Sequence, residues 1–255
     1  MKLKQILSST LAGALLVLSL SACSVPDDTG NSGGTNQGSP SSSGQTTAPT
    51  QTEQTTFEIV QNTCDLGINS IGTAYLRCVV VIKNTGNTNM YLSSSKMDIE
   101  DENGKLIATA DASAYPDVIT PGENAVFCEY VKLDDDADTN GKYTIIPKIE
   151  AKKARVPVER LPVTDFTLSE DKYFGFKYVG RVENTTDEEQ ALYTIAVILY
   201  DADGKVIDAD FTYSDKLAPG EKISFEGSFM YNYFGVTLED VARHEVIAFT
   251  YQLQF

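Results

Sequence analysis

The chain has 255 residues, 36 of them acidic and 20 basic, for a formal net charge of −16. Such a surplus of acid disfavours nucleic acid and anionic cell-wall polymers as general partners. The one histidine is His244, and no Gly-x-Ser-x-Gly, His-Glu-x-x-His, phosphate-loop or dinucleotide fingerprint occurs, so neither a motif-bearing enzyme nor a cofactor is expected.

At the N-terminus, Lys2 and Lys4 precede an apolar run from Ile6 to Leu20. The run is shorter than the ~20 residues of a membrane span and ends on Leu20-Ser21-Ala22-Cys23, the pattern of a secretory signal over residues 1–22. This ending resembles the lipobox of bacterial lipoproteins. The resemblance implies a diacylglyceryl group on the Cys23 sulfur, cleavage before Cys23, and an extracytoplasmic protein lipid-anchored to the cell membrane. Two acyl chains anchor stably where one binds only marginally. Cleavage would remove Lys2 and Lys4 and no acid, which takes the net charge to −18. No later stretch is apolar enough to span a bilayer, so a single N-terminal anchor is expected.

Residues 23–56 are rich in Ser, Gly, Thr, Gln, Asn and Pro, with almost no aliphatic residue except Val25. Such a segment buries too little apolar surface to offset the entropy of ordering it, so it is expected to be a disordered tether. As a flexible coil it would reach ~30 Å.

An internal repeat organises the remainder. Leu76-Arg77-Cys78-Val79-Val80-Val81-Ile82-Lys83-Asn84-Thr85 aligns with Phe176–Thr185 at an offset of 100, which also carries Asp101–Lys105 onto Asp201–Lys205. After a two-residue slip, Pro121-Gly122-Glu123 matches Pro219-Gly220-Glu221, and Phe127 matches Phe225. A period this long predicts tandem domains rather than a solenoid, here 57–153 and 154–255.

Both repeats read as strands. In the second, Phe176, Tyr178 and Val182 alternate with polar or small residues, as do Tyr193, Ile195, Val197 and Leu199, then Ile223 and Phe225, then Ile247 to Phe255. Asn184–Asp187, Asp203-Gly204 and Pro219-Gly220 supply turns. The spacing predicts an all-β chain, two tandem immunoglobulin-like β-sandwich domains after the tether. A single helical turn is expected near Thr237–Arg243, as an alternative to a crossing loop.

The second repeat resembles the FxLYD domains of bacterial surface proteins. The resemblance rests on Gly180-x-Val182-x-Asn184, Val197-Ile198-Leu199-Tyr200-Asp201, Asp203-Gly204-Lys205-Val206 and Leu217-Ala218-Pro219-Gly220-Glu221, with Val197 where that family has Phe. The first repeat, with Met97-Asp98-Ile99-Glu100-Asp101 in that place, is as similar to the telokin-like extracellular immunoglobulin modules of Gram-positive lipoproteins. These motifs mark turns and core positions, so they imply a fold and not an activity.

Four groups are candidates for a site. Asp136-x-Asp138-x-Asn140-Gly141 has the donor spacing at the start of a calcium loop, but the twelfth position is Pro147 rather than glutamate; the competing reading is an acidic hairpin turn. Cys64 and Cys78 lie equidistant from Ile71 in a turn region, so a hairpin would set them opposite each other, as a disulfide or as reduced thiols. Cys128, the counterpart of Glu226, is expected to point outward. Lys152, Lys153, Arg155 and Arg160 form a basic strip between the repeats, expected to neutralise flanking acids. Tyr231, Tyr233 and Phe234 would form either a recognition patch or core.

The sequence therefore favours a non-enzymatic surface lipoprotein that binds or spaces an envelope protein. The alternative is a solute- or enzyme-inhibitor-binding lipoprotein acting through its telokin-like first domain.

Overall fold

The computed structural model describes residues 53–250 except 94, 135, 136, 156–158, 172–174, 191, 192, 215, 230 and 231. The expected signal, Cys23, most of the expected tether, Asp136, Tyr231 and the last five residues lie outside the described residues.

The first repeat contains β1 (Phe57–Ile68), β2 (Ala74–Asn84), β3 (Met90–Leu92), β4 (Ser95–Asp101), β5 (Leu106–Ala112), β6 (Val118–Ile119), β7 (Asn124–Lys132), β8 (Tyr143–Lys148) and β9 (Ala151–Lys153). The second contains β10 (Arg160–Leu161), β11 (Val163–Asp171), β12 (Gly175–Glu183), β13 (Tyr193–Tyr200), β14 (Val206–Ser214), β15 (Lys222–Phe229) and β16 (Arg243–Thr250). The only helical pieces among the described residues are 3₁₀ turns at Asn232–Phe234 and Leu238–Asp240. The second is the turn expected near Thr237; Asp240 accepts hydrogen bonds from the Thr237 amide and hydroxyl, and Leu238 and Val241 pack on a core.

The two repeats share one strand order. β1-β2-β7 matches β11-β12-β15, and β5-β4-β8 matches the β14-β13-β16 part of a four-stranded sheet that β10 completes. A small β6-β3-β9 sheet is matched in the second repeat, among the described residues, by the Gln190–Leu217 bridge, which stands where Met90 pairs with Ile119. Every strand pairing is antiparallel.

Matched residues do matched work. Asn84 is buried, and its Nδ2 donates to the carbonyls of Thr88 and Ile119; Asn184 donates likewise to Glu188 and Leu217. Their main-chain carbonyls accept from Gly122 and Gly220, both at 2.8 Å. Asp101 and Asp201 each take two amide hydrogen bonds across their turns, closed by Gly104 and Gly204, both at φ 78°. Only glycine adopts that φ readily, so these turns require it.

One core joins β1-β2-β7 to β5-β4-β8 through Leu76, Cys78, Val80, Ile82, Met97, Ile99, Phe127 and Ile145. The other is built on Tyr178, Val182, Tyr193, Ile195, Val197, Leu199 and Phe225. The expected alternation fails in β13, where every residue from Tyr193 to Tyr200 is buried. The physical reason is a second contact. Val79, Val81 and Val126 of the first repeat pack against Ile198, Tyr200, Val206 and Ala209 of the second. A strand keeps a polar face only where that face meets water, so β2 and β13, covered on both sides, carry the unbroken apolar runs Cys78–Ile82 and Ile195–Tyr200. Residues 53–250 accordingly lie within one compact unit.

Candidate functional site

The junction between the repeats carries the most heavily buried charge. Arg77, on the face of β2 that leaves the first core, is 4 % exposed, and Asp208 of β14 is 5 % exposed. Arg77 Nη1 lies 3.7 Å from Asp208 Oδ2, and Nη2 lies 3.2 Å from Asp65 Oδ2. The Asp208 Oδ1 accepts from the Tyr130 hydroxyl, the Ala209 amide and the Cys128 thiol. Burial pushes the Asp208 carboxyl up to about 6, while Arg77 and these donors hold it down. Burial also works against the Arg77 charge, and Asp208, Tyr130 and Asp65 outweigh it. The guanidinium stays charged.

Tyr233 and Phe234 close the same junction. Phe234 lies under the Arg77 guanidinium, 4.6 Å from ring centre to Cζ, and beside the Tyr130 ring, while Tyr233 stacks on Tyr75. Gly67 permits this approach, since a Cβ there would sit 2.8 Å from the Phe234 ring. The two aromatics thus pack one repeat on the other.

The register of the four-stranded sheet sets the rest of the cleft. Thr194, Ala196, Ile198 and Tyr200 stand opposite Phe249, Ile247, Glu245 and Arg243 of β16, and on the other side opposite Tyr213, Phe211, Ala209 and Val206 of β14. Side chains at alternate positions share a face. That face is turned toward the first repeat. Its centre is covered by Tyr115, which packs on Ala196 and Phe249 and stacks on Phe211 with ring centres 4.3 Å apart.

Two cavities flank Tyr115. One, of about 430 Å³, is lined by Glu123, Arg160, Ile198, Tyr200, Arg243, Glu245 and Ile247. Its cations are matched: Arg160 pairs with Glu123 at 3.2 Å, and Arg243 lies 3.6 Å above the Tyr200 ring beside Glu245. Burial, then the hydrogen bond to Glu245, raise the Tyr200 hydroxyl to about 12. The other, of about 210 Å³, is lined by Tyr91, Leu92, Ser113, Ala114, Tyr115, Asp117, Thr194, Tyr213 and Phe249.

The residues singled out in the sequence are dispersed. Cys64 and Cys78 are directly opposed on β1 and β2, as thiols with Sγ atoms 3.4 Å apart. The hydrogen bond shared with Cys64 and burial push the Cys78 thiol far up. Cys128 leaves the first core, as expected, but meets β14 rather than solvent. Asp138 accepts the Asn140 amide at 2.9 Å, so the acidic segment does turn there. It is not a hairpin, because β7 pairs with β2 and β8 with β4; it crosses between sheets. Among the described residues no group of three His, Cys, Asp or Glu side chains is placed to hold a metal ion. His244 lies off the cleft, with its ring 4.7 Å from that of Phe166. In the basic strip, Lys152 pairs with Glu150 and Lys153 with Glu53.

Sequence reasoning did not single out Arg77 or Asp208, though a cation inside the apolar run Leu76–Ile82 is a visible signal for a buried partner. Asp117, Tyr115, Tyr213 and Phe249 come from separate segments, and no spacing connects them. Comparison with protein-family models and with curated proteins gives no match to this chain.

Proposed function

We propose that the chain is an extracytoplasmic lipoprotein, lipidated on Cys23 and tethered by residues 23–56, whose two immunoglobulin-like modules form one non-enzymatic binding or scaffolding head for an envelope protein. The junction carries this reading. Two modules joined by a flexible linker would each present an independent surface, whereas Val79, Val81, Val126, Ile198 and the Arg77–Asp208 pair bury a shared contact. A head locked in this way keeps a fixed geometry between whatever its two ends touch, which suits a spacer. The shared strand order and the matched Asn84 and Asn184 networks support the assignment of tandem modules.

The test has two arms. Replacing Cys23 by Ser should release the full-length protein from the membrane fraction; retention of that variant would overturn the lipoprotein assignment. Cross-linking the signal-less protein to its own cell envelope should yield a stoichiometric protein adduct. Absence of any such adduct would overturn the scaffold assignment.

A further inference from the structure

The smaller cavity has a chemistry that the scaffold reading does not use. Its walls are aromatic: Tyr91 from β3, Tyr115, Tyr213 from β14 and Phe249 from β16. Tyr115 and Phe249 are buried in one cluster with Ala196, and Tyr115 stacks on Phe211, whereas Tyr213 is 58 % exposed and stands at the opening to solvent. The wall also contains one carboxylate, that of Asp117. It forms no ion pair within 4.0 Å among the described residues, and its Oδ1 is buried without a hydrogen-bond partner. Arg160 is the one cation that acts on it, from a distance, and that guanidinium is already engaged by Glu123.

These features are complementary to one kind of group. An anion would face the Asp117 carboxylate, and a neutral apolar group would add nothing to the partial compensation it has from the Asp117 and Val118 amides. An alkylammonium supplies the missing charge, and its methyl or methylene groups lie against ring faces whose quadrupoles attract cations. A cavity of about 210 Å³ has room for such a head group but not for a large ligand. We infer that the pocket between Tyr115, Tyr213, Phe249 and Asp117 binds an alkylammonium group. The acidic chain favours the approach of such a cation. Burial raises the Asp117 carboxyl to about 6, so the site is ionised near neutrality. The site does not depend on the scaffold reading, since a head that docks no protein would still possess it.

Titration calorimetry on the signal-less protein near neutral pH tests the inference with three probes: choline, its uncharged carbon analogue 3,3-dimethylbutan-1-ol, and a short lysine-containing peptide. Choline should bind, and the analogue should bind at least about tenfold more weakly, because only the charge differs. The lysine arm distinguishes the source: tighter binding of the peptide identifies a protein side chain, tighter binding of choline a free amine. Asp117→Asn should weaken choline about tenfold, and Tyr213→Ala by severalfold. Equal binding of choline and the neutral analogue would overturn the inference. So would choline affinity unchanged in Asp117→Asn, or no binding of either cation at tens of millimolar.

Discussion

Removing the Arg77 side-chain charge is the sharpest perturbation of this molecule. Arg77 and Asp208 have side chains 5 % and 7 % exposed and approach to 3.7 Å. At an effective dielectric of about 20, two charges at that distance attract by roughly 4 kcal/mol. Bringing both ions out of water costs several kcal/mol each, so the pair contributes little net stability compared with apolar residues of similar shape. Deleting one partner is another matter. Arg77→Met would leave the Asp208 carboxylate buried against Tyr130 and Cys128 with no cation, at an expected cost of about 3–5 kcal/mol. Converting the cluster to apolar groups in Arg77→Met/Asp208→Leu/Tyr130→Phe removes both buried charges and the hydroxyl at once, and the Asp65 carboxylate, with its side chain 43 % exposed, stays hydrated. That triple variant should return to within about 1 kcal/mol of the parent. Equilibrium urea unfolding followed by circular dichroism measures both. A triple variant as unstable as Arg77→Met would show that lost packing around the guanidinium stem, and not buried charge, decides the outcome. A cost below about 1 kcal/mol for Arg77→Met would refute the burial of Asp208 itself.

Three further outcomes follow from the same geometry. The folded Asp208 carboxyl titrates at about 6 and the unfolded one near 3.9, so the folded state binds the extra proton and this group adds stability as pH falls from about 6 toward 4. Asp208→Asn should flatten that part of the urea-midpoint profile, and an identical slope in parent and variant would contradict the assignment. Asn84→Ala and Asn184→Ala each remove two donated hydrogen bonds to main-chain carbonyls and should cost about 2–3 kcal/mol apiece by thermal or urea unfolding; if either is silent, the two repeats are not built alike. Oxidation with diamide should join Cys64 to Cys78, closing a loop of 14 residues and adding up to ~3 kcal/mol. Thiol titration of the denatured protein lacking residues 1–23 should then find Cys128 alone, and three reactive thiols after oxidation would rule the bond out.

The parts of this structure legible in the sequence are those fixed by local chemistry. Asp101-x-Asn103-Gly104-Lys105 and its match at Asp201 specify a turn through one carboxylate, two amides and a glycine, all within five residues. Asn84 and Asn184 follow the same logic at the end of a strand. The opposed Cys64 and Cys78 were legible for a related reason, because a hairpin converts equal spacing from a turn into cross-strand contact. Contacts between repeats are of a different kind. The unbroken run Cys78-Val79-Val80-Val81-Ile82 says that both faces of its strand are covered, but period-two alternation cannot say by what. The same limit applies to Tyr233 and Phe234, whose composition suits a free recognition patch as well as the Tyr75 and Arg77 surface they occupy. The Asp134–Asn140 segment misleads as a hairpin because turn chemistry is the same whether a chain returns to its neighbour or crosses to another sheet.

The buried pair has a second consequence, for the aromatic pocket. Val79, Val81, Val126 and Ile198 would pack comparably well if one repeat slid along the other by a residue pair, because aliphatic contacts have little directional preference. Arg77 and Asp208 would not. A slip would take Asp208 away from Arg77, which keeps Asp65, and leave a buried carboxylate without a cation, at a cost of several kcal/mol. The pair therefore specifies register more than it adds stability, and that register places Tyr115 and Asp117 of the first repeat against Tyr213 and Phe249 of the second. On this reasoning the triple apolar variant keeps its stability but loses definition at the pocket. Its urea midpoint should match the parent while its choline affinity falls severalfold. Parent-like affinity in the triple variant would assign the docking geometry to the stacked Tyr115 and Phe211 rings instead, and Tyr115→Leu would then be the substitution that abolishes binding.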